Sequence, residues 1–227
     1  MPDIRLSQVA QGDQSLSASF FMENQDNKNI IGLALGSGAA FGMAHIGVLN
    51  VLEREKIPIG VVSGASIGAV IAAMWGIGLS SKEIENISNR MKIKLNIMRL
   101  LDFTFPISGI LAGKRLRRFL RAILGDRTFE DLKIPVKIIV YDLANRETMV
   151  VDKGKLVDAV YKSIAVPGIF HPIMEDGRML VDGGVSDPVP VDVLFKSGAK
   201  KVIAVNVLPG PRNIYERNMA LKEVAKE

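Results

Sequence analysis

Two short apolar runs, each ending in a glycine-rich turn and followed by a helix-like stretch, constrain this chain most. The first covers 30–35 and runs into Gly36-Ser37-Gly38. The second covers 59–62, with a tight turn over 63–66 that runs into Gly64-Ala65-Ser66-Ile67-Gly68. A short apolar run between turn residues reads as a buried strand. Helical spacing follows over 39–55, where Ile46, Leu49 and Leu52 are apolar, and Pro58 closes that unit. Residues 67–75 are apolar on every side, as in a helix enclosed by its own domain. Strand, turn and helix occurring twice within about 45 residues signals a parallel sheet covered by helices.

The remainder is consistent with this plan. Ser80-Ser81-Lys82-Glu83 has the form of a capping box that opens another helix. Residues 91–111 read as irregular, 114–124 as a basic amphipathic helix, and 134–141 as a strand. A short strand is expected over 149–151, a helix over 156–163, and a strand over 179–181 leading into Asp182-Gly183-Gly184. A last strand is expected over 201–207. Residues 1–29, rich in Gln, Ser, Asn and Asp, read as a flexible polar tail or linker. Residues 30–208 are expected to make the domain, and 209–227 read as a C-terminal extension, expected to be a truncated part of the same unit.

Composition narrows the chemistry. The chain has no cysteine and only two histidines, His45 and His171, so thiol nucleophiles, thiolate metal sites and His-rich metal sites fall away. Neither a metal nor a cofactor is called for. A net charge of +5 suits an anionic surface, while 6% aromatic residues are too few for a base-stacking platform, which argues against nucleic acid. No run reaches the ~18 uninterrupted apolar residues of a membrane span. The first residues lack the basic start and apolar run of a signal peptide, so a cytoplasmic location is expected.

Three constellations carry chemistry. Gly64-Ala65-Ser66-Ile67-Gly68 stands where a strand meets a helix, the context in which G-x-S-x-G has meaning. Its glycines allow a sharp, crowded turn, and the helix N-terminus favours negative charge at the Ser66 hydroxyl. Gly36-Ser37-Gly38-Ala39-Ala40-Phe41-Gly42 is a second strand-to-helix turn, whose small residues let backbone N–H groups converge on an oxygen. That serves an oxyanion hole or a phosphate cradle. Its G-x-G-x-x-x-G spacing, and the absence of an acidic residue at the end of the next strand, fit a dinucleotide site poorly. Asp182-Gly183-Gly184 reads by itself as a turn. A serine that needs a base in a chain poor in histidine gives the aspartate a second reading.

Together these residues resemble the patatin-like phospholipase family, over about 31–208. The opening block is Leu33-Ala34-Leu35-Gly36-Ser37-Gly38 with Ala44-His45-Ile46-Gly47-Val48-Leu49. Gly64-Ala65-Ser66-Ile67-Gly68 is similar to the family's nucleophile turn. The stretch from Ala165-Val166-Pro167-Gly168 to His171-Pro172, then Val181-Asp182-Gly183-Gly184 and Asp187-Pro188-Val189-Pro190, is similar to its closing block. The resemblance implies a three-layer α/β/α fold and a Ser–Asp dyad that cleaves lipid acyl esters. Ser66 is then the nucleophile, Asp182 its base, and backbone N–H groups of Ser37, Gly38 and Ala39 the oxyanion hole. The chain departs from the family where Ser37 and Ala39 replace two glycines and Phe41 replaces a cation, which weakens the case for phosphate recognition.

Other readings stay open. Acyl transfer from Ser66 would use His171 as partner, although a structural role is the plainer reading of both histidines. A catalytically weak lipid-binding module would account for the degraded glycine run. The basic stretch from Lys114 to Arg121 reads as a solvated helix face or, beside the apolar 107–111, as a peripheral contact with an anionic membrane. The oligomeric state is not legible in these residues.

Overall fold

A computed structural model describes residues 30–94 and 108–208. The strands are β1 (Ile31–Leu35), β2 (Val61–Ala65), β3 (Val136–Asp142), β4 (Glu147–Val151), β5 (Ile173–Glu175), β6 (Arg178–Asp182) and β7 (Lys201–Val205). The helices are α1 (Ala44–Arg54), α2 (Ile67–Gly76), α3 (Ser81–Lys94), α4 (Ser108–Leu124), α5 (Leu156–Ser163) and α6 (Asp192–Lys196). The readings of 1–29 and 209–227 lie outside the described residues.

Strands β7, β1, β2 and β3 lie parallel in that order, β4 and β6 each pair antiparallel with β3, and β5 pairs antiparallel with β6. Alternation along each strand divides the core. Leu33, Leu35, Val62, Ile138 and Val140 join a large cluster with residues from α1 to α5, including Leu49, Trp75, Ile84, Leu120 and Val160. Ala34 and Val61 face the other way, against Leu194 of α6 and Ala199 just after it. The result is a three-layer α/β/α arrangement, thick on one face and thin on the other. Among the described residues, no helix is long and apolar enough to cross a membrane.

Several boundaries differ from expectation, each for a physical reason. The second strand runs over Val61–Ala65, so Ser63, Gly64 and Ala65 are sheet rather than turn. Ser63 and Gly64 pair with both β1 and β3, and Ala65 with β3, and this pairing outweighs their low strand propensity. A 3-10 turn over Ala39–Met43 precedes α1, because Ala39 takes φ 47° and cannot start an α-helix. The stretch 91–111 is not all irregular: α3 continues to Lys94 and α4 begins at Ser108, while 95–107 lie outside the described residues. Gly113 inside α4 lets the helix pack closely on α5, since a Cβ there would stand 2.5 Å from the Tyr161 hydroxyl oxygen. The β5–β6 hairpin was not expected, although its signal was present: Asp176 and Gly177 take φ 50° and 75°, as a tight two-residue turn demands. The short helix α6 was also missed. The capping box is as expected, with the Glu83 carboxylate accepting from the Ser80 N–H at 2.8 Å and Ser80 hydroxyl at 2.7 Å.

Candidate active site

Ser66 is the residue between β2 and α2, with φ 55° and ψ −124°. A non-glycine residue in this region carries strain of order 1–3 kcal/mol unless its surroundings hold it there. The flanking glycines explain how they do. A Cβ on Gly68 would stand 2.0 Å from the Leu35 carbonyl oxygen, and one on Gly64 would stand 2.6 Å from the Gly68 carbonyl group. Both glycines are needed for close approach: α2 enters against the backbone of β1 and β2 with no room for a side chain. The Ser66 carbonyl accepts the N–H groups of Ala69 at 3.0 Å and Val70 at 3.3 Å, tying the residue to the first turn of α2.

Asp182 arrives from the opposite direction along β3. A strand has two edges, and β4 takes one edge of β3 over 138–142. The other edge is shared, with β2 parallel to 136–139 and β6 antiparallel to 140–142. Ala65 therefore stands opposite Ile139, and Asp182 opposite Val140. The ends of two strands meet on consecutive residues of a third, which brings together Ser66 and Asp182, 116 residues apart in sequence. The Ser66 hydroxyl donates to Asp182 Oδ2 at 2.6 Å, and Asp182 Oδ1 accepts the Gly184 N–H at 2.7 Å. Both residues are buried or nearly so, at 9% and 4% exposure. Burial pushes the Asp182 carboxyl above the ordinary carboxylate range, although the bonds from Ser66 and Gly184 pull the other way. Such a group is a better proton acceptor than a solvated aspartate.

The first glycine-rich turn closes the third side. A Cβ on Gly184 would come within 2.7 Å of the Ser37 Cβ, so the Asp182 loop packs directly on this turn. The Ser37 N–H is already given to the Pro188 carbonyl at 2.8 Å, and that of Gly36 to the Val205 carbonyl at 3.0 Å. Of the three backbone donors expected from sequence, Ser37 is thus spent. No hydrogen bond among the described residues occupies the N–H of Gly38 or of Ala39. Ala39 is held left-handed at φ 47°, a conformation that glycine takes without cost. His45 supports the turn from behind, where its Nε2–H donates to the Gly36 carbonyl at 2.8 Å. Burial pushes its pKa down, partly offset by that carbonyl, and the neutral ring leaves Nδ1 buried without a partner.

Not every expected residue joins the site. His171 is exposed, and no hydrogen bond links it to Ser66 among the described residues. Phe41 stands about half exposed, at 49%, in the 3-10 turn beside the glycine-rich loop. On α4, Arg117 pairs with Asp158 and lies over the Tyr161 ring, and Arg121 pairs with Asp126. Ile107 lies outside the described residues. Sequence reasoning missed Ser163, whose hydroxyl accepts the Ser66 N–H at 3.0 Å, and Ala165, whose carbonyl accepts the Asp182 N–H at 3.0 Å. Both sit in the Ser-Ile-Ala-Val-Pro segment; Ala165 opens the closing block of the resemblance without its role being legible there, and no local signal marks Ser163.

A strained serine at a strand-to-helix turn, bonded to a buried aspartate on a mixed α/β/α sheet, delimits the class of protein. Residues 33–195 match the family described as Patatin-like phospholipase, and the chain belongs to that family. It is 33% identical over 186 residues to the neuropathy target esterase sws of Drosophila melanogaster, covering 79% of this chain and 13% of that one. With an NTE family protein of Mycobacterium tuberculosis (strain H37Rv) the identity is 35% over 179 residues, covering 78% and 49%. The human patatin-like phospholipase domain-containing protein 6 is 32% identical over 183 residues, covering 79% and 13%. The chain thus spans at most about half the length of these relatives. Among solved structures, VipD from Legionella pneumophila shares the fold at a TM-score of 0.50 and 17% identity, covering 72% of this chain and 47% of that one.

Proposed function

We propose that this chain hydrolyses carboxylic esters of lipids through an acyl-Ser66 intermediate, with Asp182 as the only proton carrier. The observation that carries the reading is the 2.6 Å bond from the Ser66 hydroxyl to a buried carboxylate, at a backbone position strained to present that hydroxyl. Membership of the patatin-like phospholipase family supplies the substrate class.

Ser66 Oγ adds to the ester carbonyl carbon while its proton passes to Asp182 Oδ2. The carbonyl oxygen becomes an oxyanion, and the N–H groups of Gly38 and Ala39 are the donors left to receive it. The bond to the leaving alcohol then breaks, and that oxygen takes the proton from Asp182. A water molecule next gives a proton to Asp182 and adds to the acyl carbon. The bond to Ser66 Oγ breaks, Oγ recovers the proton, and the fatty acid leaves. A single carboxylate serves as base and acid alternately, and its raised pKa suits both roles. Acyl transfer through His171 draws no support from the geometry, since the Ser66 hydroxyl is already engaged by Asp182.

The test combines turnover of a short-chain p-nitrophenyl ester with labelling by a fluorophosphonate probe. Ser66→Ala is expected to abolish labelling and to lower turnover by about 10⁴-fold or more. Asp182→Asn should slow both by a comparable factor. Undiminished turnover in Ser66→Ala sinks the reading. Labelling of Ser66 that needs His171 instead of Asp182 favours transfer chemistry.

A further inference from the structure

The parallel ladder between β2 and β3 stops one rung short of where backbone geometry alone would end it. The Val62 N–H donates to the Pro135 carbonyl at 2.9 Å, and the register pairs Val62 with Val136, Gly64 with Ile138 and Ala65 with Ile139. Parallel rungs recur every second residue on each strand. Continuing that series assigns the Ser66 N–H to the Ile139 carbonyl. That bond is absent. In its place stands the Ser163 hydroxyl, which donates to the Ile139 carbonyl at 2.7 Å and accepts the Ser66 N–H at 3.0 Å.

Ser163 is the last residue of α5 and is fully buried. Two residues later the Ala165 carbonyl accepts the Asp182 N–H at 3.0 Å. The end of α5 therefore holds the backbone of both Ser66 and Asp182, where β2 and β6 meet on β3. The dyad's 2.6 Å bond is made by side chains. The positions of the two main chains are set by this third segment.

We propose that Ser163 is a positioning residue for the nucleophile: its hydroxyl, spliced into the β2–β3 ladder, holds the Ser66 main chain off β3 and so presents Oγ to Asp182. The proposal rests on the Ser66–Asp182 reading above. Without the hydroxyl, two outcomes are open to the backbone. The Ser66 N–H and Ile139 carbonyl stay apart, buried and unsatisfied, or the ladder closes by one rung and draws Ser66 away from its φ of 55°. Either one disturbs a geometry in which about 1 Å of misplacement costs on the order of 10²-fold in rate.

The experiment uses the full chain and a soluble p-nitrophenyl ester, with rates normalised to probe-titrated sites below the melting temperature. Ser163→Ala is expected to lower kcat by about 10²-fold with KM changed less than about threefold, and to slow fluorophosphonate labelling in parallel. Ser163→Thr keeps the hydroxyl and is expected to recover at least about a tenth of wild-type kcat. A residue that serves stability alone would lower the melting temperature and leave kcat per titrated site intact. The proposal is overturned by Ser163→Ala within about threefold of wild-type kcat, or by a folded Ser163→Thr as slow as Ser163→Ala. If Ser163→Ala does not fold, the wild-type protein decides: a nuclear Overhauser contact between the Ser66 amide proton and the Ser163 β protons is expected, and its absence overturns the assignment. Ser66→Ala measured alongside separates the two ideas. If it retains turnover, the dyad reading fails; if it is inert while Ser163→Ala is fast, only the role of Ser163 fails.

Discussion

At the scale of single residues, the site depends on a carboxylate kept in the wrong solvent. Asp182 is buried with its pKa raised, so ionising it costs the folded state free energy. The sign follows from linkage. A carboxyl whose folded pKa lies above its unfolded value favours the fold while protonated, and that contribution is lost as pH rises through the raised pKa. Asp182→Asn, neutral at every pH, should therefore gain in melting temperature relative to wild type as pH increases from about 4 to 8. A constant difference across that range would mean that the carboxyl titrates normally. In the wild type, kcat/KM of the soluble ester should rise with pH along an acid limb lying above the usual carboxylate value of about 4. A limb at or below that value would contradict a desolvated base. Ser66 was legible at this scale because glycines two residues away on either side mark its turn. Asp182 was legible only by need and by resemblance, since an Asp-Gly-Gly sequence has no geometry until β6 is paired.

At the scale of elements, glycine has two opposite meanings in this chain, and substitution tells them apart. Gly47 lies exposed on α1, with nothing within 4 Å of where a Cβ would stand. Gly47→Ala removes backbone freedom at no steric cost and should stabilise by about 1 kcal/mol, raising the melting temperature by about 3 °C. Gly68 also lies in a helix, but a Cβ there would stand 2.0 Å from the Leu35 carbonyl oxygen, so its missing side chain is the space in which α2 packs on β1. Gly68→Ala should destabilise by about 3 kcal/mol or more and, if folded, lose labelling of Ser66. Thermal denaturation of the two variants against wild type checks both, and like signs would contradict the packing described. Helical periodicity gave α2 and α5 nearly to the residue. It failed at the start of α1, because the left-handed Ala39 is a backbone state with no marker in an Ala-Ala pair. It also failed for the three residues of β2 that are strand only through pairing, Ser63 and Gly64 with β1 and β3 and Ala65 with β3.

For the whole molecule, the lipid ester proposed as substrate would require approach to a lipid surface, and a net charge of +5 favours an anionic one. Lys114 and Arg118 are exposed on α4, while Arg117 and Arg121 are partly neutralised by Asp158 and Asp126. Reversing both, Lys114→Glu with Arg118→Glu, should weaken sedimentation with vesicles containing phosphatidylserine by about tenfold or more. Turnover of a soluble ester should stay unchanged. Vesicle binding that is insensitive to this reversal assigns the contact to another face. The basic helix itself was visible in sequence, because charge at helical spacing is a local property. Which of its cations are compensated was not, since Asp158 belongs to α5 and Asp126 to the turn after α4.

The amino-acid sequence determined, by itself, what depends on neighbours along the chain. Repeated strand–turn–helix units required a parallel sheet, glycines around Ser66 required a sharp turn, and a chain with no cysteine and two histidines excluded thiol nucleophiles and thiolate or His-rich metal sites. Only the tertiary structure decided what depends on neighbours across the sheet. β3 brings the ends of β2 and β6 to consecutive residues, Pro188 takes the Ser37 N–H from the expected oxyanion donors, and Ser163 enters a rung of the ladder. The physical reason is the same in each case: a hydrogen bond across strands joins residues that no local periodicity relates, and its existence follows from register, which the folded sheet alone defines.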